Sequence, residues 1–183
     1  MTRGGPYREV VVLDRQPTLE GDLLLLRPLA MDDFEALYAI ASDPSIWEQH
    51  PSKDRTQRPV FQEWFADAIS SGGALTAVDK SDDRVIGSSR YARQTSRDEV
   101  EIGWTFLDRA HWGGAYNRDM KRLMLNHAFG SVRKVIFTVH SGNFRSQKAV
   151  EKLGAIRVGV AQDELGRGEN VIYHLDKDRR QRE

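Results

Sequence analysis

The most specific pattern in this chain is the string Asn143-Phe144-Arg145-Ser146-Gln147-Lys148-Ala149-Val150-Glu151-Lys152-Leu153-Gly154. Its apolar residues recur at helical spacing, at Phe144, Ala149, Val150 and Leu153. Gly154 follows where a glycine is expected just past a helix end. Asn143 is a favourable N-cap, but a capping box would place Glu or Gln three residues later, where the chain has Ser146. The Ser146 hydroxyl is therefore available for something other than capping.

A second helix start lies one strand earlier, at Trp112-Gly113-Gly114-Ala115. A helix start has unpaired backbone N–H groups and a partial positive charge, and small residues let a phosphate approach it closely. Arg118, Lys121 and Arg122 add positive charge in the turns that follow. A Gly-Gly pair alone is better explained as a tight turn beside a solvated basic face. Neither the Walker pattern nor the dinucleotide fingerprint is present, so a nucleoside triphosphate or NAD site is not expected.

The hydrophobic periodicity predicts a mixed α/β chain in the order strand, two helices, three antiparallel strands, helix, strand, helix and two strands. The predicted strands are 23–26, 74–78, 84–92, 99–107, 135–139, 158–161 and 171–175, with 10–13 as a further edge strand. The predicted helices are 34–41, a second from a Thr56 cap to 69, 116–127 and 144–153. Residues 42–55 contain two prolines and are expected to form a loop. Strand alternation places Val100, Ile102, Trp104 and Phe106 on one face.

The composition limits the classes of function. The 183 residues fit one domain, and 27 Lys and Arg balance 27 Asp and Glu, so a nucleic acid or an anionic membrane is not an expected partner. No apolar run approaches a membrane span, and the first residues lack the apolar core of a signal peptide, so a cytoplasmic protein is expected. The chain has no cysteine, which excludes an acyl-cysteine intermediate. The five histidines show no metal-type spacing, so no metal site is expected.

The succession of strand, glycine turn, basic helix, strand and Asn-x-x-Ser helix between residues 99 and 154 resembles the GNAT superfamily of acetyltransferases. Within it, the chain is similar to the RimJ/RimL-like branch, named for ribosomal-protein N-terminal acetyltransferases. The resemblance spans residues 20–176 and includes Leu25-Leu26-Arg27-Pro28-Leu29 and Glu101-Ile102-Gly103-Trp104. It implies an α/β (α+β) fold with a splayed central sheet of seven or so strands and four or so helices, open between the strands ending near 107 and 139. The implied organisation is an N-terminal extension (1–20), an N-acetyltransferase domain (21–176) and a charged tail (177–183).

The resemblance also assigns roles at the cofactor site. It implies that acetyl-CoA is the co-substrate and that its pantetheine arm pairs with the backbone of Thr105, Phe106 and Leu107. The pyrophosphate is expected on the turn formed by Trp112, Gly113, Gly114, Ala115, Asn117 and Arg118. Asn143 is expected to hydrogen-bond the arm, and Ser146 to stabilise or protonate the leaving thiolate. The family loop usually reads Arg/Gln-x-x-Gly-x-Gly/Ala; here Trp112, Ala115 and Asn117 occupy those positions, and the two glycines come early.

The implied activity is an N-acetyltransferase that moves an acetyl group from acetyl-CoA directly to a primary amine, either a protein N-terminus or a small amine. Glu101 matches the position of a carboxylate base in related enzymes; it is equally explained as a surface residue or a partner of Arg90 or Arg93. Glu99 shares its face and is the second candidate.

Further residues are candidates for the acceptor side, since the interhelical loop and the last hairpin wall the acceptor pocket by family analogy. These candidates are Trp47, His50, Asp163, Glu164 and Glu169. The acidic ones would suit a cationic amine, or they are solvated loop residues. His140 could line the site, whereas His127 is predicted to be a packed core residue. The resemblance favours a homodimer. The alternative function is a non-catalytic acyl-CoA-binding or sensing module.

Overall fold

The computed structural model describes residues 12–92, 96, 98–163 and 166–180. Its centre is an eight-stranded mixed sheet in the order β1-β2-β3-β4-β5-β6-β8-β7. The strands are β1 (Leu19–Glu20), β2 (Leu24–Pro28), β3 (Ala74–Asp79), β4 (Val85–Tyr91), β5 (Glu99–Leu107), β6 (Lys134–His140), β7 (Ile156–Gln162) and β8 (Glu169–Asp176). All neighbours pair antiparallel except β5 and β6, which are parallel. The predicted mixed α/β sheet is confirmed.

Helices cover both faces of this sheet. They are α1 (Phe34–Ala41), α2 (Pro44–Trp47), α3 (Arg58–Ser70), α4 (Ala115–Ala128), α5 (Phe144–Glu151) and α6 (Lys177–Arg180), with 3₁₀ turns at Met31–Asp33, Lys53–Thr56 and Arg109–His111. Helices α1 to α3 pack on one face around Phe61 and Phe65, and α4 and α5 pack on the other around Met120 and Val150. None of the described helices is both long and apolar enough to span a bilayer.

The splay between β5 and β6 follows from how far their pairing extends. The two strands are in register only from Glu99 opposite Lys134 to Glu101 opposite Ile136. Beyond Glu101, β5 still pairs with β4 on its other side, whereas its edge toward β6 is open. The predicted opening between these two strands is confirmed, and it places a gap in the middle of the sheet.

A β-bulge near the end of β5 changes the predicted strand alternation. Ser88 pairs with Phe106, but Arg90 pairs with Gly103, so β5 has one extra residue there. Trp104 lies in this segment with φ of 51°, a left-handed conformation that is unusual outside glycine. Because the extra residue reverses the alternation, Phe106 packs with the α1–α3 cluster, whereas Ile102 packs with the α4–α5 cluster. The prediction that Val100, Ile102, Trp104 and Phe106 share one face is wrong.

Local signals explain the other differences from the predicted elements. The segment 42–55 is not a plain loop, because Asp43 caps α2 by accepting a hydrogen bond from the Ser45 N–H at 2.9 Å, and Pro44 fits the first helical position. Thr56 ends a 3₁₀ turn and does not cap α3, whose N-cap is Gln57. Of the predicted edge strand 10–13, residues 10 and 11 lie outside the described residues, and 12–13 form no strand.

Candidate active site

A cleft of about 860 Å³ opens where β5 and β6 diverge. Its walls come from the end of β5, the turn before α4, the first turns of α4, the start of α5, and the segment from α2 to the 3₁₀ turn at Lys53–Thr56. The two helix starts singled out in the sequence therefore face one space. This arrangement follows from the splay, because a closed sheet would leave no gap between these helices.

The turn before α4 is built for close approach to its backbone. Gly113 and Gly114 have φ of 99° and 105°, in the left-handed region where only glycine is unstrained. A Cβ at either position would meet no atom within 4 Å, so the space beside the turn is open. The glycines are thus required by the backbone conformation and not by tight packing within the chain.

A buried carboxylate fixes this turn against the sheet. Asp79, at the end of β3, accepts hydrogen bonds from the Tyr116 hydroxyl at 2.8 Å and the Ser81 N–H at 2.8 Å. His111 Nε2 lies 3.0 Å from the same carboxylate. The Ser81 N–H, followed by the hydroxyl and imidazole contacts and against opposing burial, lowers the pKa of Asp79 to about 2. An ionised Asp79 therefore holds both sides of the glycine turn, through His111 before it and Tyr116 after it.

The start of α5 leaves one hydroxyl unused. Asn143 caps the helix by accepting a hydrogen bond from the Ser146 N–H at 3.1 Å, as predicted. The Arg145 N–H donates to the Gln49 side-chain oxygen at 2.9 Å, which ties α5 to the segment after α2. The Ser146 hydroxyl lines the cleft and makes no hydrogen bond within the described part of the chain.

Trp112 joins the end of β5 to the start of α5. Its indole N–H donates to the Leu107 carbonyl at 3.0 Å, and the Arg145 guanidinium lies 4.1 Å from the centre of its ring. Arg145 also donates to the Ile46 carbonyl at 2.9 Å. These contacts hold the two helix starts and the α2 segment around one mouth of the cleft.

The charge of the cleft is one-sided although the chain is neutral. Six lysines and arginines line it, namely Arg55, Arg118, Lys121, Arg145, Lys148 and Lys152, and no described aspartate or glutamate does. A neutral chain that gathers cations in one cleft favours an anionic ligand there. In the described residues, no group of three or more His, Cys, Asp or Glu side chains is placed to hold a metal ion.

A family model described as an acetyltransferase (GNAT) domain matches residues 24–156. The chain belongs to the GNAT acetyltransferase family. The matched segment runs from β2 to the start of β7 and contains the whole cleft. A search of the curated proteins finds no match.

Solved GNAT structures share this fold. A GCN5-related N-acetyltransferase from Brucella melitensis is 19% identical, with a TM-score of 0.78 over 90% of this chain and 80% of that one. RimJ from Mycobacterium smegmatis, in complex with CoA-disulfide, is 17% identical, with a TM-score of 0.67 over 88% of each chain. The spermidine N-acetyltransferase of Vibrio cholerae, in complex with CoA and spermine, is 15% identical, with a TM-score of 0.67 over 86% of this chain and 98% of that one.

The residues of this GNAT domain fit a CoA molecule. From 102 to 107, β5 makes no strand pairs with β6, so an extended amide-containing arm can pair along this edge. The Leu107 carbonyl on this segment already accepts from the Trp112 indole. The glycine turn and the cationic side chains suit phosphates. Of the residues predicted at the cofactor, all line the cleft except Ala115, the first residue of α4: Thr105, Phe106, Leu107, Trp112, Gly113, Gly114, Asn117, Arg118, Asn143 and Ser146.

The two candidate base carboxylates lie outside the lining of the cleft. Glu101 is half-buried at the closed end of the splay, opposite Ile136, and directly precedes Ile102, which does line the cleft. Glu99 lies 3.7 Å from the Lys134 ammonium group, with which it forms an ion pair. The role of Glu101 as the base stays a prediction.

Two of the three cations predicted to surround the glycine turn have other surroundings. Lys121 is buried beneath the sheet, with Nζ 2.6 Å from Thr105 Oγ1, and burial lowers its pKa to about 7. Arg122 pairs with Asp119 on its own helix at 2.7 Å and with Asp22 of the β1–β2 turn at 3.2 Å. Sequence spacing could not show these orientations: Arg118 lies beside the cleft as predicted, Lys121 also lines it but is buried, and Arg122 does not line it.

On the acceptor side, Trp47 and His50 line the cleft as expected, but the acidic hairpin residues do not. Asp163 accepts a hydrogen bond from the Arg167 N–H at 3.3 Å, and Glu169 accepts one from the Gln162 side chain at 3.2 Å. Glu164 lies outside the described residues. Of the two alternatives for Asp163 and Glu169, the structure favours loop residues outside the cleft lining. Sequence reasoning did not single out Arg55, which lines the cleft with Trp47 and His50 and carries the opposite charge.

The histidines have structural partners. His140 lines the cleft, but its Nδ1 accepts a hydrogen bond from the Gly142 N–H at 3.1 Å and its Nε2 lies 3.1 Å from the Arg167 carbonyl. Burial, followed by the charges of Arg55 and other cations, lowers the pKa of His50 to about 3. His127 is half-buried and lies 2.7 Å from the Asp14 carbonyl, so the prediction of a packed core residue is wrong.

Proposed function

We propose that this protein is an N-acetyltransferase that moves an acetyl group from acetyl-CoA directly to a primary amine, as either a protein N-terminus or a small molecule. The observation that carries the proposal is the single cleft in which the open edge of β5, the Gly113-Gly114 turn and the Asn143–Ser146 helix start meet. Acetyl-CoA would supply an activated thioester. The RimJ/RimL-like branch is part of the proposal, supported by the sequence resemblance and by RimJ among the structural neighbours.

Each wall of the cleft has a proposed task. The backbone of Thr105, Phe106 and Leu107 would hold the pantetheine arm along the open strand edge, with the Asn143 amide beside it. The turn Trp112–Asn117, with Ala115 at the first helical position and Arg118 next to it, would bind the pyrophosphate through backbone N–H groups and charge. The acetyl group would pass directly to the amine without an acyl-cysteine intermediate, since the chain has no cysteine.

Ser146 and Glu101 carry the proposed proton transfers. The Ser146 hydroxyl is unpaired in the described structure and is free to donate a proton or a hydrogen bond to the leaving thiolate. Glu101 would accept the proton of the attacking amine. Because its carboxylate lies beyond the lining of the cleft, this transfer requires a bridging water.

A calorimetric titration with acetyl-CoA followed by an amine panel tests the function. We expect CoA binding and release of free CoA thiol with at least one class of amine. Absence of CoA binding would overturn the central claim. CoA binding without turnover across protein N-termini, amino acids, polyamines and aminoglycosides would favour the alternative, a non-catalytic acyl-CoA sensor. This alternative is worth testing because no described carboxylate lines the cleft.

A further inference from the structure

Alternating indole and guanidinium groups form the wall of the cleft opposite α4 and α5. The Arg55 guanidinium carbon lies 5.1 Å from the Trp47 ring centre and 5.9 Å from that of Trp64. Arg90 continues the row, at 5.8 Å from Trp64 and 4.9 Å from Trp104. Within this row, Trp47, Arg55 and Trp104 line the cleft. A guanidinium stacked on aromatic faces keeps the N–H groups at its edge available for a planar anion.

Arg55 has no charge partner of its own. Among the described residues, no carboxylate lies within 4.0 Å of its guanidinium, whereas the next arginine in the chain, Arg58, pairs with Glu35. Burial, followed by the neighbouring positive charges of Arg167 and Arg90, lowers the pKa of Arg55 to about 10. The group is therefore still charged at neutral pH. A half-buried cation that is repelled by its neighbours gains from an anion in the cleft.

The neighbouring buried donors also lack acceptors. Arg90 is 4% exposed and donates through Nη1 to Asp67 at 2.6 Å, but its Nε and Nη2 are buried without a hydrogen-bond partner. The Trp64 Nε1 is buried and unpaired as well. Three unpaired buried donors in one row are costly. Asp67 compensates the charge of Arg90, whereas Arg55 feels Asp54 and Asp67 only at longer range.

The position of Arg55 separates it from the cofactor cradle. It belongs to the 3₁₀ turn Lys53–Thr56 that leads into α3, and it stands with Trp47 and His50. The cations suited to CoA phosphates, such as Arg118 and Arg145, come from α4 and α5. His50 is neutral because its pKa is lowered to about 3, so Arg55 is the charged group of this wall that lines the cleft in the described structure.

We propose that Arg55 binds a carboxylate on the acceptor, so that the preferred substrates are amines that also carry a carboxylate, such as amino acids. The inference rests on the proposed transferase function and names its substrate class. One free guanidinium supplies a single charge and a two-pronged donor edge, which matches a carboxylate; a phosphate carries nearly two charges and would leave one uncompensated. The apolar indole faces beside Arg55 would contact the carbon atoms that join the carboxylate to the amine.

Matched amine pairs test the substrate class. Glycine, β-alanine, γ-aminobutyrate and phenylalanine would each be compared with the amide of the same compound, which keeps the amine and removes the charge. The release of free CoA thiol would be measured with this protein at saturating acetyl-CoA. We expect kcat/KM to be about 10- to 100-fold higher for at least one acid than for its amide, the effect of one charge-assisted contact. Equal or faster turnover of all four amides, or of polyamines, would overturn the proposal.

Variants assign the preference to Arg55. Arg55→Gln should reduce the acid-to-amide ratio to near one by raising KM for the acid, and Arg55→Lys should restore it only in part, because the two-pronged edge is lost. Arg58→Gln is the matched control, since Arg58 is paired with Glu35 outside the cleft, and it should keep the full ratio. A parallel loss of CoA affinity in Arg55→Gln would place Arg55 at the cofactor and overturn the proposal.

Binding to the CoA-loaded protein separates failure of the substrate class from failure of the enzyme. Calorimetry with the same acid and amide pairs requires no turnover. If acids bind without being acetylated, and this binding is lost in Arg55→Gln, the proposed carboxylate site is supported and the proposed transferase function is overturned. If amides are acetylated as fast as the acids, the proposed transferase function is supported and the proposed carboxylate site is overturned.

Discussion

The Lys121 side-chain nitrogen lies 2.6 Å from the Thr105 hydroxyl oxygen, within the core between α4 and β5. A second hydroxyl, that of Ser89, is 3.3 Å away, and the Phe137 ring centre is at 6.0 Å. No described carboxylate forms an ion pair with this lysine. Burial without a counter-charge lowers its pKa to about 7. Two hydroxyls therefore solvate an amine that the fold would otherwise disfavour in its charged form.

This burial predicts a pH-dependent stability. Between about pH 7 and pH 10 the unfolded chain holds the Lys121 proton and the folded protein does not, so the free energy of unfolding should rise by about 1.4 kcal/mol per pH unit from this group. Lys121→Met removes this pH-dependent contribution to the free energy of unfolding. Denaturant unfolding of both proteins over this range should show wild type gaining relative to the variant as pH rises. Parallel curves would contradict a buried Lys121, and Thr105→Val, which keeps the lysine, should keep the rise.

Hydrophobic periodicity predicted the order of the elements apart from the short β1, α2 and α6, but it did not predict the bulge in β5. Periodicity assumes an unbroken alternation, whereas Trp104 adopts a left-handed conformation. The isolated glycine directly before it, Gly103, is a local signal of a bulge that the periodicity did not take into account. The consequence is large, because Phe106 changes faces and the β5 backbone bends beside the cleft. By contrast, the opening between β5 and β6 came from the resemblance and is confirmed where pairing ends at Glu101 and Ile136.

The parts of the candidate site that depend on backbone conformation could be predicted from the sequence. The parts that depend on the orientation of long side chains could not. Gly113 and Asn143 have turn and cap roles that local sequence encodes, and the structure shows both. Lys121 and Arg55 have flexible side chains whose burial depends on tertiary packing. Charge counts treat them as solvated, so neither the buried amine nor the cationic wall around Arg55 could be inferred from spacing alone.

The glycine turn should be needed for CoA affinity beyond its effect on stability. Gly114→Ala places a Cβ where φ is 105° and in space that is open for a ligand, so we expect about 1–2 kcal/mol of strain and, in addition, weaker CoA binding. Gly72→Ala is the control, because Gly72 has φ of 59°, lies outside the cleft, and would bring a Cβ only to an ordinary contact of 3.7 Å with Arg15 Nη2. It should lose similar stability and keep CoA affinity. Equal CoA binding by the two variants would show that the turn does not contact the cofactor.

Ionised Asp79 should stabilise both the folded protein and the glycine turn, and this effect should be lost in acid. Its pKa of about 2 lies below the ordinary value of 3.8, so its stabilising effect is present above about pH 4 and is lost as pH falls toward 2. Asp79→Asn should lower the melting temperature near pH 7. The difference in melting temperature between wild type and the variant should shrink as pH falls from about 4 toward 2. CoA affinity should fall as well, because His111 and Tyr116 lose their shared anchor. Asp82→Asn changes an exposed residue in the β3–β4 turn that follows Asp79, and it should leave CoA affinity unchanged. If Asp82→Asn also lowers CoA affinity, the negative charge of the β3–β4 turn would be responsible, and not the contacts of Asp79 with His111 and Tyr116.

Ser146→Ala should separate chemistry from binding. The Ser146 N–H is already capped by Asn143 and alanine favours a helix, so the start of α5 and CoA affinity should be preserved. The hydroxyl is the group removed, and if it assists the leaving thiolate, kcat should fall by about 10²-fold while the Kd for CoA changes little. Calorimetry and thiol release measure the two quantities separately. Ser141→Ala, outside the cleft in the turn before α5, should alter neither. An equal loss of affinity and turnover in Ser146→Ala would mean that Ser146 only shapes the helix start, because a group that acts on the leaving thiolate stabilises the transition state more than the bound cofactor.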